Sequence, residues 1–196
     1  LRGVFIGAHS GDALTTGNDN VAIGYSAFST EDTGNKNTAI GAYALQDLNY
    51  DGDGHNTAIG YNAGAEITTA RYNTILGSLA GDALTTGAEN TALGYGALGQ
   101  EDTGSRNVAI GQEALTALNY NGEAYNTAVG YNAGKAVSTG LYNTIVGGLA
   151  GDALTAGSNN VAIGMYALST EDAHGRCIAI GPNALKTQDA GADAYN

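Results

Sequence analysis

The amino-acid sequence predicts an all-β fold, a parallel β-solenoid built as a two-sided β-roll. A pentapeptide of the form Asn-(Thr/Val)-Ala-(Ile/Leu/Val)-Gly recurs along the 196 residues, and its closing glycines are 17 or 19 residues apart. Four such units make a 70-residue super-repeat, so that residues 11–17 return unchanged at 81–87. A short fixed period is typical of solenoids, and 17 residues are too few for a helical hairpin with its loops. The closing glycines are Gly7, Gly24, Gly41, Gly60, Gly77, Gly94, Gly111, Gly130, Gly147, Gly164 and Gly181.

Composition and charge exclude several classes of protein. With 43% hydrophobic and 13% charged residues, the chain can bury a core, which argues against disorder. Its 31 glycines are too few for collagen, and no apolar run approaches the roughly 20 residues that span a bilayer. Membrane insertion is therefore not expected. A net charge of −12 without a basic cluster argues against nucleic acid and anionic membranes as partners. The single cysteine, Cys177, excludes an intrachain disulfide.

Each repeat unit divides into a strand, a second apolar segment and a polar turn. The pentapeptide is rich in β-branched residues and predicts a strand. An alanine three residues after almost every glycine predicts a second short strand or extended segment. The rest of the unit is polar and predicts turns. Between Gly24 and Asn37 the apolar residues Tyr25, Ala27 and Phe28 all follow the glycine, so two sides are expected rather than three.

The two faces of each predicted strand are both apolar. Side chains alternate along a strand, so Thr57 and Ile59 share one face while Ala58 lies on the other. A two-sided roll buries only one face, and the other is expected to meet a second copy of the chain. Pattern alone leaves open which face looks inward. The small alanine face suits a thin interior, and this choice makes the oligomer interface Ile23, Ile40, Ile59, Leu76, Leu93, Ile110, Val129, Val146, Ile163 and Ile180.

Asparagines open most of the pentapeptides and predict a ladder at one corner of the roll. Stacked amides can hydrogen-bond along the rod, and Asn tolerates turn conformations. Capture of a carbohydrate by these amides is the alternative, and it is less favoured because amides in a ladder satisfy each other. The predicted ladder comprises Asn20, Asn37, Asn56, Asn73, Asn90, Asn107, Asn126, Asn143 and Asn160.

No catalytic residue, cofactor or firm metal site is predicted. Asp51 and Asp53 are weak calcium candidates, because carboxylate oxygens spaced by glycine are ligands that calcium accepts. At the 70-residue offset, however, Asp51 becomes Asn121 and then Gly191, so solvated turn carboxylates are the preferred interpretation. The histidines do not recur at this offset, which argues against a metal array; they are His9, His55 and His174.

Tyrosine is abundant, with twelve residues against two phenylalanines. Tyrosines directly follow four of the motif glycines, at positions two or more coils apart. Tyrosine suits contacts with sugars or proteins, but it also packs well in β structure, and packing is the preferred interpretation. These tyrosines are Tyr25, Tyr61, Tyr95 and Tyr131.

The repeat from Asn20 to Gly24 and its copies resemble the head repeats of trimeric autotransporter adhesins (YadA-like heads) and the repeat arrays of bacteriophage tail fibres. The resemblance covers essentially the whole chain, although the coils here are longer. It implies a left-handed β-roll, a homotrimer or other homo-oligomer, and an extracellular place on a bacterial cell surface or virion. It also implies a structural and adhesive role without catalysis, with a glycan or protein receptor.

Residues 1–196 are expected to form a single β-roll domain. Because Asn196 would open the next pentapeptide, they are interpreted as a fragment of a longer fibre protein. Two other functions remain open from sequence. One is a self-assembling extracellular filament. The other is an ice-binding solenoid, although Val21, Val108 and Val161 interrupt the threonine column that such a surface would need.

Overall fold

The structure, a computed structural model, describes residues 2–170 and 173–188, so that Gly191 and Asn196 lie outside the described residues. The described residues form one parallel sheet of eleven strands in chain order, and they include no helix long and apolar enough to cross a bilayer. The prediction of an all-β parallel solenoid is therefore confirmed. The strands are β1 (Arg2–Ile6), β2 (Asn18–Ile23), β3 (Thr38–Ile40), β4 (Thr57–Ile59), β5 (Thr74–Leu76), β6 (Thr91–Leu93), β7 (Val108–Ile110), β8 (Thr127–Val129), β9 (Thr144–Val146), β10 (Val161–Ile163) and β11 (Ile178–Ile180).

Neighbouring strands pair with equivalent residues side by side. In β3 and β4, for example, Ala39 lies opposite Ala58 and Ile40 opposite Ile59. These two strands are joined by a 19-residue coil, yet their register is the same as elsewhere. The two additional residues are absorbed in the loop before β4, where Asp53 makes an isolated parallel bridge to Asn35. Coil length therefore varies without disturbing the rows of the sheet.

The second side of the roll is a stack of turns, so the prediction of a second strand there is wrong. In the coil after Gly60, the residues Asn62 (φ 53°) and Gly64 (φ 56°) both have left-handed backbone. The N–H groups of these two residues point in opposite directions along the rod. The N–H of Asn62 donates to the carbonyl of Ala42 in the preceding coil, and that of Gly64 to Ala80 in the following one, each at 3.0 Å. The turns therefore bond to both neighbouring coils, as strands would.

Glycine is required where each strand meets this turn. Gly60 has a φ of +143°, and a Cβ added to it would lie 2.4 Å from the carbonyl oxygen of Gly77 in the next coil. The same close approach recurs along the described coils, for example between Gly77 and Gly94. The motif glycines therefore stack directly on one another, which also aligns the residues that follow them in a straight row along the rod.

The core is thin and its volume is shared between coils. The penultimate residue of each described strand from β2 to β11 is Ala or Ile and is at most 1% exposed. Ile75 replaces the usual alanine where the adjacent turns carry Gly64 and Gly81, and its Cδ1 occupies the space beside both glycines. Ile145 does the same in β9. In the other strands from β2 to β11 this residue is Ala, and leucines such as Leu45 and Leu98 fill the equivalent turn position. Where glycine leaves space at the turn, a larger side chain from the strand therefore fills it.

A further buried position, seven residues after the motif glycine, was missed by the sequence analysis. Leu84 and Leu118 occupy it and are fully buried. The segment between Gly24 and Asn37 showed no apolar residue there because Glu31 takes the position in that coil. The polar-looking loop therefore also contributes to the core.

Candidate interaction surface

The outer face of the sheet carries the aliphatic row, and the alanine row faces inward. In β4 the central Ala58 is fully buried, whereas Thr57 and Ile59 on either side of it are partly exposed. The same alternation holds in every described strand from β2 to β11. The structure therefore places the ten residues predicted for the oligomer interface on the outer surface. Their contact with a partner chain stays a prediction.

This face, which we call the aliphatic face, consists of the residues immediately before and after the buried alanine or isoleucine of strands β2 to β11, which in β2 are Val21 and Ile23. These positions hold only Val, Thr, Ile and Leu. The charged residue of these strands, Asp19, lies earlier in β2, where it is exposed and pairs with Arg2 at 2.9 Å. Several are well exposed, with Leu76 at 41% and Ile163 at 37%. Because equivalent residues pair across the sheet, the side chains repeat at a strand spacing of about 4.8 Å. The result is a flat, uncharged surface on a protein of net charge −12.

One edge of the aliphatic face is lined by tyrosines at every second coil, which we call the tyrosine row. Tyr25, Tyr61, Tyr95 and Tyr131 directly follow motif glycines, and all are 49–53% exposed. The coils between them carry other residues at this position, namely Ala42, Ser78 and Gln112. At the start of the row, the ring of Tyr43 makes edge contacts with both Tyr25 and Tyr61, at centroid distances of 5.4 and 6.0 Å.

The opposite edge is charged and aromatic. Arg106 pairs with Glu89 at 3.1 Å and with Glu123, residues of the two neighbouring coils. It also donates a hydrogen bond to the hydroxyl of Tyr125, and these partners raise the pKa of its guanidinium. Exposed pairs of this kind contribute little to stability. They do neutralise the positive charge of Arg106.

The predicted asparagine ladder is present as a continuous set of hydrogen bonds. The side chain of Asn56 donates to the carbonyl of Ala70 at 2.8 Å and accepts from the backbone N–H of Asn73 at 3.1 Å. Each of the other ladder asparagines likewise accepts from a backbone N–H of the next coil, up to that of Cys177, which donates to Asn160. All nine are at most 1% exposed. Their amides are therefore used internally and are not accessible to a carbohydrate.

Two buried carboxylates, Glu31 and Glu101, were not identified from sequence. Oε1 of Glu31 accepts from three successive backbone N–H groups, those of residues 32–34, and Oε2 accepts from Tyr50. Oε1 of Glu101 accepts from Gly104 at 2.7 Å, and its burial raises the pKa of the carboxyl. Alignment of the coils could have revealed both residues, because each stands where other coils have leucine.

The two weak calcium candidates, Asp51 and Asp53, each bond to a different side chain. Asp53 pairs with Lys36, and the hydrogen bond from that lysine lowers the pKa of its carboxyl. Asp51 accepts a hydrogen bond from the hydroxyl of Thr33. Among the described residues no group of three or more His, Cys, Asp or Glu side chains is arranged to hold a metal ion.

A surface groove of about 220 Å³ lies beside Tyr95. It opens where Gly96 and Gly99 lack the side chains that other coils carry at these positions, such as Tyr43 and Gln46. The groove combines an aromatic ring with carboxylate, amide and hydroxyl groups. Its other lining residues are Leu79, Asp82, Gln100, Glu113 and Thr116.

Comparison of the chain with family models, with curated proteins and with solved structures finds no match. A β-solenoid is compatible with many functions, because function resides in particular surfaces rather than in a fold. The aliphatic face, the tyrosine row and the groove beside Tyr95 are therefore the features from which a function can be argued.

Proposed function

We propose that this chain is a structural and adhesive segment of an extracellular fibre, on a bacterial cell surface or a virion. In this proposal three copies, or another small number, pack side by side through their aliphatic faces. The assembled rod presents its remaining surface to a glycan or protein of the target cell. The proposal includes no catalytic role.

The aliphatic face is the observation that carries the proposal. A continuous exposed apolar surface on a water-soluble chain marks an interaction site. It runs the length of the described sheet, where Leu76 and Ile163 are more than a third exposed. Its covering by other copies would remove the aliphatic rows from water, and closed homo-oligomers are the commonest such assemblies.

Charge supports a second copy of this chain as the occupant. Each copy carries a net charge of −12, so copies repel each other over most of their surface. The aliphatic face has no charged side chain, since Asp19 of β2 stands at the position that Arg106 takes on the charged edge. It is also periodic, with side chains repeating at each strand, so the rows of one copy can interdigitate with those of another at the same spacing.

The hydrogen bonding between coils supports a stiff rod. Neighbouring coils are joined at three places, namely the sheet, the stacked turns and the asparagine ladder. The eleven described strands at a spacing of about 4.8 Å give a length of roughly 50 Å. A rigid element of this kind suits a fibre that holds a binding surface away from its anchor.

The test is the mass of the protein in solution, measured by sedimentation equilibrium. The wild type is expected to sediment as a multiple of 19.6 kDa, and Ile59→Asp as a single copy, because a carboxylate would be desolvated at the centre of the interface. The matched control is Thr69→Asp, which adds the same charge to an exposed loop position of the neighbouring coil.

Circular dichroism of all three proteins checks that they remain folded. A wild type that sediments as one copy would overturn the proposed assembly. So would an Ile59→Asp variant that keeps the wild-type mass.

An ice-binding surface is a second candidate, favoured by one observation. Thr57, Thr74 and Thr91 lie in a row on the flat outer face, where Thr74 is exposed. The valines at positions 21, 108 and 161 interrupt the same row. Thermal hysteresis of the wild type, compared with Thr74→Lys, distinguishes this function, because an adhesive segment would show none.

A further inference from the structure

We propose that the tyrosine row and the groove beside Tyr95 form a binding site for an uncharged, linear β-1,4-linked polysaccharide that lies along the rod. This inference rests on the proposed adhesive function and names the class of its ligand. It concerns a different surface from the aliphatic face. The two can therefore be tested separately.

The spacing of the rings is the first argument. Tyr25, Tyr61, Tyr95 and Tyr131 occupy every second coil, which separates successive rings by roughly 10 Å, twice the strand spacing. In a β-1,4-linked chain, successive pyranose rings are flipped by half a turn, so the same ring face returns on every second sugar. A pair of such sugars has nearly the length of two coils. In a straight row, each tyrosine therefore corresponds to one pair of sugars of a straight glycan.

The exposure of the rings is the second argument. All four tyrosines are close to half exposed, so each leaves about half of its side chain open to solvent. The electron-rich face of an aromatic ring attracts the polarised C–H groups of a sugar, and the phenol hydroxyl can hydrogen-bond to sugar hydroxyls. Because tyrosine has few rotatable bonds, this contact surface is ordered at a low cost in entropy.

The groove is the third argument and comes from a break in the repeat. Gly96 and Gly99 open it next to Tyr95, and Asp82, Gln100 and Glu113 supply acceptors and donors within it. Convergent polar groups beside an apolar surface are the usual composition of a site that orients a small ligand. One sugar of the glycan is expected to sit here, with its hydroxyls on the carboxylates and the amide.

Charge selects among the possible glycans. Asp82 and Glu113 line the groove, Glu113 in an ion pair with Lys135, and the chain as a whole carries −12. Anionic polysaccharides would be repelled, whereas neutral hydroxyls can donate to these carboxylates. The expected ligand is therefore neutral.

Isothermal titration calorimetry with cellohexaose is the direct test. Cellohexaose is expected to bind more tightly than cellobiose, because it spans several tyrosines, and more tightly than maltohexaose, whose α-linked chain curves away from a straight row. Tyr61→Ala and Tyr95→Ala are each expected to weaken binding by about tenfold. Tyr95→Phe keeps the ring and is expected to retain most of the affinity.

The matched control is Tyr72→Ala. Tyr72 is 50% exposed but lies on the opposite, charged edge of the aliphatic face, so its loss is expected to leave binding unchanged. Titration of the wild type followed by NMR gives an independent result, because signals of the tyrosine row should shift while that of Tyr72 should not. Equal binding of cellohexaose and maltohexaose, or equal effects of Tyr72→Ala and Tyr61→Ala, would overturn the inference.

Sedimentation of the same samples separates this site from the proposed assembly. A chain that assembles but does not bind cellohexaose contradicts the glycan site alone. A chain that binds as a single copy contradicts the assembly alone. Binding by Ile59→Asp but not by the assembled wild type would mean that the partner covers the tyrosine row, and would overturn the site as a property of the fibre.

Discussion

A single carboxylate in a leucine position illustrates how individual residues adapt to the repeat. Glu101 is fully buried, and Leu84 and Leu118 occupy the equivalent position in the two neighbouring coils. The loop after Glu101 leaves the backbone N–H of Gly104 pointing inward, and the carboxylate accepts it. The carboxylate thus satisfies a buried donor that a leucine would leave without an acceptor, at the cost of burying an ionisable group.

The pH dependence of stability should show this cost. Burial raises the folded-state pKa of Glu101 above its ordinary value of 4.5, so the folded protein binds the proton more tightly than the unfolded chain. The unfavourable contribution of the buried Glu101 carboxylate to the stability of the fold is therefore complete above the raised pKa, and it decreases as the pH falls toward 4.5. The difference in free energy of unfolding between the wild type and Glu101→Gln should therefore shift in favour of the wild type as the pH is lowered from 7 to 4.5. Urea denaturation at each pH measures this difference.

Glu66→Gln is the matched control for this experiment, because Glu66 is an exposed carboxylate of another coil. Its difference from the wild type should vary less with pH. A difference between the wild type and Glu101→Gln that stays constant, or that moves in the opposite direction, would contradict the assignment of the raised pKa to Glu101.

At the scale of structural elements, the asparagine ladder joins each strand to the coil beside it. Asn56→Ala would remove the donor to the carbonyl of Ala70 and the acceptor for the N–H of Asn73, both within the buried ladder. Buried groups left without partners cost about 1–3 kcal/mol each, so a loss of about 3 kcal/mol in the free energy of unfolding is expected. Urea denaturation measures it.

Asn121→Ala controls for the intrinsic effect of the substitution. Asn121 is exposed in the loop of a 19-residue coil, and its replacement should change stability by less than about 0.5 kcal/mol. If Asn56→Ala proved as mild as this control, the ladder would be a geometric consequence of the stacking and not one of its causes.

The strands, their register and the ladder could be predicted because each leaves a periodic signal. In Thr57-Ala58-Ile59, the alternation of a small residue with β-branched ones defines the two faces, and the fixed period aligns the strands. The choice of inward face followed from size alone, since a thin interior accepts alanine. These features depend on short-range chemistry that is repeated in every coil.

The stack of turns and the buried glutamates could not be predicted in the same way. The turns depend on left-handed backbone at non-glycine residues such as Asn62 and Leu45 (φ 47°). The identity of these residues does not predict this conformation. It is held by hydrogen bonds to both neighbouring coils, and these exist only after stacking. Glu31 stands in a polar stretch of the sequence, and its partners could not be read from that stretch because one of them, the N–H of Tyr50, belongs to another coil.

On the scale of the whole molecule, charge and apolar surface are segregated. Acidic residues predominate in the loops, and the aliphatic face has none, since Asp19 of β2 belongs to the charged edge. Association through the aliphatic faces must therefore overcome a repulsion between copies that each carry −12. The attraction is short-ranged and apolar, whereas the repulsion is long-ranged and electrostatic, so the two respond differently to salt.

Salt should consequently strengthen the proposed assembly. Raising sodium chloride from about 0.1 M to about 1 M shortens the Debye length from about 10 Å to about 3 Å, which screens the repulsion between copies. The dissociation constant from sedimentation equilibrium should fall over this range. Ile59→Asp should remain a single copy at both concentrations, which excludes non-specific association by salt. A wild-type assembly that weakens with salt would instead be held by ion pairs, such as those of Arg106 on the charged edge, and the aliphatic face would not be its interface.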